Sequence, residues 1–179
     1  MDEGVSSYRG PARVLHWLVA LLVFATIPAG FVMAGNDVSR SLRDMLYVFH
    51  KNTGVLILLL VACRLAYRFA RPAPPLPASM PAWQVATARA THAALYTLLV
   101  VMALSGYAYV KAGGYPIEVL DALGIPPFVP RSDALSGMAQ SLHIAARTVL
   151  IALIAIHVAA ALHHGIVRRD GVLWRMRPW

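Results

Sequence analysis

The chain predicts an all-α integral membrane protein, a four-helix bundle, and three observations carry that reading. Hydrophobic residues make up 59% of its 179 residues and charged ones only 13%, with a mean hydropathy of +0.62. A soluble domain of this size has too little interior to hide that much apolar surface. Four apolar stretches are each long enough to cross roughly 30 Å of hydrocarbon as a helix. Between them lie helix-breaking segments such as RPAPPLPASMPAW at 71–83.

The first span covers about 14–34, VLHWLVALLVFATIPAGFVMA, with Pro28 and Gly30 expected to bend its far end. Its apolar run is too long for the core of a cleavable signal and lacks a convincing cleavage site, so a retained span is expected. The second span covers about 45–68. Its first half, around YVFHKNTG, is polar on one face, and hydropathy alone undercalls it. The third covers about 87–110 and the fourth about 139–167. The proline-rich connection at 71–83 cannot be helical throughout. In the connection 111–138, PIEVLDALG places Pro116 at the start and Gly124 at the end of a short interfacial helix. No sequence repeat interrupts this single-domain pattern over 1–179.

Composition also excludes functions. The one cysteine, Cys63, rules out an internal disulfide and a thiolate metal cage. A net charge of +8 would point a soluble chain toward nucleic acid; here no nucleic acid is expected, and the cations read as a topology signal and an anion-favouring surface. Ten of the 16 Lys and Arg residues fall on the side of the termini: Arg9, Arg13, Arg64, Arg68, Arg71, Arg89, Arg168, Arg169, Arg175 and Arg177. The other six, Arg40, Arg43, Lys51, Lys111, Arg131 and Arg147, fall on the opposite side. The positive-inside rule therefore puts both termini in the cytoplasm. Trp83, Trp174 and Trp179 fit a belt at that interface, and Tyr107, Tyr109 and Tyr115 one at the other.

Topology sorts the histidines by depth. His16 in span one and His157 in span four lie toward the cytoplasmic face, while His50 in span two and His143 in span four lie toward the outer face. His143 and His157 are fourteen residues apart, which turns a helix about 1400°, within about 40° of four whole turns. They share one interior line, roughly 21 Å apart along the axis. Two stacked sites result, each with a second imidazole available from across the bundle.

Buried histidines without a ligand are the plain alternative, but polar side chains at this depth usually face a pathway, a partner or a cofactor. A zinc or copper site would cluster its ligands, often with carboxylate or thiolate, and the spans offer neither. A proton relay normally recruits intramembrane Asp or Glu, and none lies there. Heme fits best, as an apolar disc held between facing helices by two neutral imidazoles. Arg64, fourteen residues after His50, returns to the same face at the cytoplasmic level and offers a guanidinium to propionates; Arg13, near His16, does likewise. Both also have the reach to snorkel to lipid phosphates, and spacing does not separate the two. Gly54, one turn after His50, leaves room for a porphyrin face or for close helix packing.

These features sit in motifs that resemble the bacterial diheme cytochrome b561 family: LHW at 15–17, FHKNTG at 49–54, CRLAYRF leading into RPAPP, THAALY at 91–96, LHIA at 142–145 and HVAAALHHGIVRRDGVLWRM at 157–176. The last is the most specific. The resemblance implies two heme b groups stacked across the bilayer of a bacterial inner membrane. His16 and His157 would ligate the cytoplasmic-side heme iron, and His50 and His143 the periplasmic-side one. It further implies a quinone site at His92 and His164. Helix arithmetic places His164, seven residues past His157, on nearly the same face. Arg147, one turn after His143, matches nothing in the family pattern; it either tunes the outer heme or serves a propionate.

Two axial imidazoles leave iron no open position, so outer-sphere electron transfer is the expected chemistry. Some members of this family are superoxide:ubiquinone oxidoreductases, which makes superoxide the expected donor, ubiquinone the acceptor and the lipid bilayer the setting, with no large protein partner required. Arg40, Arg43, Lys51, Arg131 and Arg147 are expected to form an outer electropositive funnel for the superoxide anion. The competing reading is a heme-bearing membrane anchor that relays electrons between quinone and a dehydrogenase, hydrogenase or periplasmic cytochrome. Large exposed apolar patches on the loops would favour it.

Overall fold

A computed structural model describes residues 7–178. Five α-helices form: α1 (Gly10–Ala34), α2 (Arg40–Ala70), α3 (Ala82–Ala112), α4 (Glu118–Ala122) and α5 (Asp133–Leu162). A π turn, His163–Arg168, and a short 3₁₀ turn, Leu173–Met176, follow, and no strand occurs among the described residues. Four helices, with α5 counted through the π turn, are long and apolar enough to cross a membrane, so the chain is a multi-pass membrane protein.

The long helices begin four to six residues before the apolar runs do, for local reasons. Ser39 and Ser132 cap α2 and α5, their hydroxyls accepting from Leu42 N–H (3.3 Å) and Leu135 N–H (3.2 Å). Pro11 sits in the first turn of α1, and Pro81 immediately precedes α3. Polar first turns thus belong to helices whose hydropathy starts later. Pro28 lies inside α1, which stays helical to Ala34. The short helix at Glu118–Ala122 forms between Pro116 and Gly124, whose φ of +67° lets the chain leave it. The belt residue Trp179 lies outside the described residues.

The bundle is two close helix pairs, α1 with α2 and α3 with α5, with α2 meeting α3 less extensively. Between the two ends, Val19 and Val23 of α1 and Ile57 and Val61 of α2 are buried together, with Leu99 and Val100 of α3 and Ile154 of α5 packed on them. This buried cluster marks off two levels of the bundle, one toward each end. Leu21, Phe24, Leu59, Leu104 and Ile156 point outward and exposed, as lipid-facing side chains do. Small buried residues, Ala112, Ser136 and Ala139, bring α3 and α5 close, and Ser136 Oγ donates to Tyr109 O at 2.9 Å.

At the end of the bundle that holds both termini, the C-terminal tail folds over the opening. Trp17 Nε1 donates to Met176 O (2.7 Å), and Arg13 Nη1 to Arg177 O (3.3 Å). Tyr8 N–H donates to Arg175 O (3.1 Å), and the buried Arg175 guanidinium donates to Pro74 O (2.6 Å) and Pro75 O (2.9 Å). First helix, proline-rich connection and tail thus form one hydrogen-bonded closure. At the opposite end, α4 is bolted to α2. Lys51 Nζ donates to Pro116 O and to Glu118 Oε1, both at 2.7 Å. Asn52 donates to Glu118 Oε2 (2.9 Å) and accepts from Val119 N–H (2.8 Å).

Candidate heme and quinone sites

Each of the two levels of the bundle holds a pair of imidazoles on facing helices. His16 of α1 faces His157 of α5 at the terminal end, ring centroids 6.4 Å apart and planes at 68°. His50 of α2 faces His143 of α5 at the α4 end, 6.2 Å apart and at 70°. Metal–imidazole bonds of about 2 Å, with half a ring behind each, set the centroids of trans ligands about 6 Å apart. Both pairs match that span.

The pair at the α4 end is oriented by backbone. His50 Nδ1 lies 3.1 Å from Thr26 O, and His143 Nδ1 lies 2.9 Å from Met102 O and 3.3 Å from Ser105 Oγ. A carbonyl only accepts, so each Nδ1 carries the proton and each Nε2 keeps its lone pair for the interior. A glycine stands four residues after each carbonyl. A Cβ on Gly30 would meet His50 Cε1 at 2.9 Å, and one on Gly106 would meet His143 Cε1 at 3.1 Å. Gly30, expected to bend α1, instead lets an imidazole reach the helix backbone. The inner pair has no such support: among the described residues, His16 Nδ1 is buried without a hydrogen-bond partner.

Comparisons with known proteins bear on this arrangement. The family model described as prokaryotic cytochrome b561 matches residues 7–179. The chain belongs to the prokaryotic cytochrome b561 family. It is similar to "Cytochrome b561 homolog 2" of Escherichia coli (strain K12), 33% identical over 170 residues, covering 92% of this chain and 88% of that protein. "Cytochrome b561 homolog 1" of the same organism is 28% identical over 168 residues, covering 92% and 93%. "Probable superoxide oxidase CybB" of Yersinia pestis is 26% identical over 164 residues, covering 92% of each chain.

Membership makes the chain a membrane heme protein of the b type, working in electron transfer. The residues fit such a group. Each level has two facing imidazoles at the spacing one iron needs, and the Gly54 position, one turn after His50, opens on free space. No cluster of three or more His, Cys, Asp or Glu side chains suited to a bare metal ion occurs among the described residues.

The expected arginine partners behave differently from one another. Arg64 stands over the Tyr96 ring, 5.3 Å from its centroid, in a small basic cavity it shares with Arg68 and Arg71. Arg13 commits one N–H to the tail through Arg177 O, while its Nε is buried without a partner. Arg147 lies over the Phe31 ring at 4.4 Å, its Nε buried and unpaired among the described residues.

His92 and His164 have different immediate neighbours. His92 comes within 5.4 Å of His157, centroid to centroid, and lines a cavity of about 670 Å³ between α2 and α3. Leu65, Tyr96, Val100, Arg68 and Arg89 also border it. His164 is not among its lining residues; its Nδ1 pairs with Asp170 Oδ2 at 2.5 Å. His164 lies in the π turn His163–Arg168, two residues past the end of α5. Partial burial works against ionisation of Asp170, but hydrogen bonds from His164 and Val172 N–H, with Arg168 nearby, hold its carboxyl below the usual range.

The outer funnel is also corrected. Lys51 is largely covered and ion-paired with Glu118, so it presents no free charge, and Arg147 lies inside the bundle against Phe31. Arg43 donates to Gly35 O (2.9 Å), and Arg40 is exposed with Asp44 3.9 Å away. Arg131 lies against Gly114. Arg40, Arg43 and Arg131 remain as outward cations. Lys51 was expected to be free because its partner sits 67 residues away, beyond the reach of local sequence patterns.

Proposed function

We propose that this chain is a superoxide:ubiquinone oxidoreductase of a bacterial inner membrane, with both termini cytoplasmic and two b hemes. His16 with His157 would hold the inner heme iron, and His50 with His143 the outer. Each heme, once bound, supplies one-electron outer-sphere transfer, because both axial positions are filled. The observation that carries the reading is the pair of imidazole couples crossing the bundle at two levels, fourteen residues apart on α5. That is a path for electrons from one face to the other. The donor is argued from the relative named a probable superoxide oxidase. The reaction balances as two superoxide anions oxidised to two dioxygen molecules, while ubiquinone takes two electrons and two protons.

The acceptor site is argued from the cavity between α2 and α3. It has apolar walls for a quinone ring and tail, and His92, Arg68 and Arg89 to hydrogen-bond its carbonyls. His92 and His164, the latter oriented by Asp170, serve proton delivery at the same end. Arg64 is the better-placed propionate partner, since Arg13 already engages the tail.

One observation favours the relay reading. On the 113–132 connection, Leu123 and Phe128 are 68% and 76% exposed, an apolar surface a periplasmic partner could cover. Purified holoprotein given enzymatically generated superoxide and ubiquinone decides between the two. One ubiquinol per two superoxide anions consumed is expected. Heme spectra that are intact yet unmoved by superoxide would sink this function and leave the relay.

A further inference from the structure

We infer that the Thr26–Gly30 turn of α1 and the Met102–Gly106 turn of α3 hold the outer heme at a lower reduction potential than the inner one. This rests on the two-heme reading above. The observation is an asymmetry. Both outer imidazoles donate Nδ1–H to a helix carbonyl, at 3.1 Å for His50 and 2.9 Å for His143, whereas inner His16 Nδ1 is buried without a hydrogen-bond partner among the described residues. The outer bonds arise by the same construction on two different helices: a carbonyl at one position and a glycine four residues on, where a Cβ would strike the ring. Ser105 adds a third acceptor, its Oγ 3.3 Å from His143 Nδ1.

A donated Nδ1–H gives an imidazole partial imidazolate character and makes its Nε2 more basic. A more basic axial ligand favours ferric over ferrous iron, so its potential falls. One guanidinium stands near each end, Arg64 over the Tyr96 ring at the terminal end and Arg147 over the Phe31 ring at the α4 end, so the number of cations does not single out either site and the Nδ1 bonds carry the asymmetry. An electron arriving at the α4 end runs downhill toward the termini, and Thr26, Met102 and Ser105 are positioning groups for that slope.

The test is a spectroelectrochemical titration of purified holoprotein, with heme content counted first. Gly30→Ala and Gly106→Ala push a ring from its carbonyl; Ser105→Ala removes an acceptor without adding bulk. Each should raise the lower-potential couple, by up to about tenfold in its reduction equilibrium, or about 59 mV for one electron. Each should leave the upper couple and the bis-imidazole low-spin spectrum in place. Arg64→Gln should instead lower the upper couple. If the glycine variants fail to hold heme, Ser105→Ala alone decides. A lower couple unmoved by these variants, or movement of the upper couple, overturns the inference while two hemes remain bound. One heme per chain in the parent protein would instead defeat the two-heme reading beneath it.

Discussion

His92 lies closer to His157 than His16 does, 5.4 Å against 6.4 Å between ring centroids. Proximity alone would make His92 a rival ligand. The shorter separation is too small for an iron held between two rings by bonds of about 2 Å each, so His16 is the expected partner and His92 a neighbour. His16→Ala and His157→Ala should each remove the inner heme, and His50→Ala and His143→Ala the outer one. His92→Ala should keep two hemes by pyridine hemochrome assay. Loss of a heme from His92→Ala with retention in His16→Ala would reverse the assignment.

The quinone step should depend on the groups at the terminal end. His92→Ala is expected to slow reoxidation of the reduced hemes by ubiquinone by about 10²-fold or more, the range typical of a lost proton-transfer group. Asp170→Asn should slow it less, since His164 remains but loses its orienting carboxylate. Stopped-flow traces of heme absorbance read both effects. Unchanged traces in a His92, His164 double variant would remove these residues from the acceptor site.

Steering by the outer cations should be modest, because Lys51 is already neutralised. Reversing Arg40, Arg43 and Arg131 to Glu should lower the rate of heme reduction by superoxide and flatten its fall with ionic strength, as the Debye length shrinks to about 10 Å at 0.1 M salt. Quinone reoxidation should not change. Fast, salt-insensitive reduction in the reversed protein would end the steering argument.

The α4 clamp should be sensitive to acid. Partial burial pushes the Glu118 carboxyl up, but hydrogen bonds from Lys51 and Asn52 prevail and hold it below its ordinary value of 4.5. A depressed carboxylate contributes stability that is complete above that ordinary value and is lost as pH falls through the depressed one. Hydrogen exchange of 117–122 should therefore stay slow at neutral pH and rise only below about pH 4.5, the unfolded-state range. Glu118→Gln should speed that exchange at pH 7, by no more than about 1 kcal/mol of opening free energy because the pair is partly solvated. Equal exchange in parent and variant would show that the clamp contributes nothing.

Much of this was legible in the chain, and the illegible parts share a cause. The four spans follow from apolar length, and the facing imidazoles from a fourteen-residue spacing that any straight helix enforces. Helix starts were placed late because Ser39 and Ser132 recruit polar turns that hydropathy ignores. Gly30 read as a bend and Gly106 drew no notice, since a histidine–carbonyl bond has no side-chain signature on the acceptor. A glycine at the depth of a histidine on a facing helix was the available signal. The π turn that carries His164, and its pairing with Asp170, have no signature in the hydropathy of the run. Lys51 and Glu118 find each other only through the tertiary fold.

One imidazole of each couple comes from α5, which follows the other three long helices in chain order. Until α5 is made, His16 and His50 have no ring opposite them, and the tail that covers the terminal end lies later still in the chain. In order of synthesis, neither couple is complete before the fourth long helix.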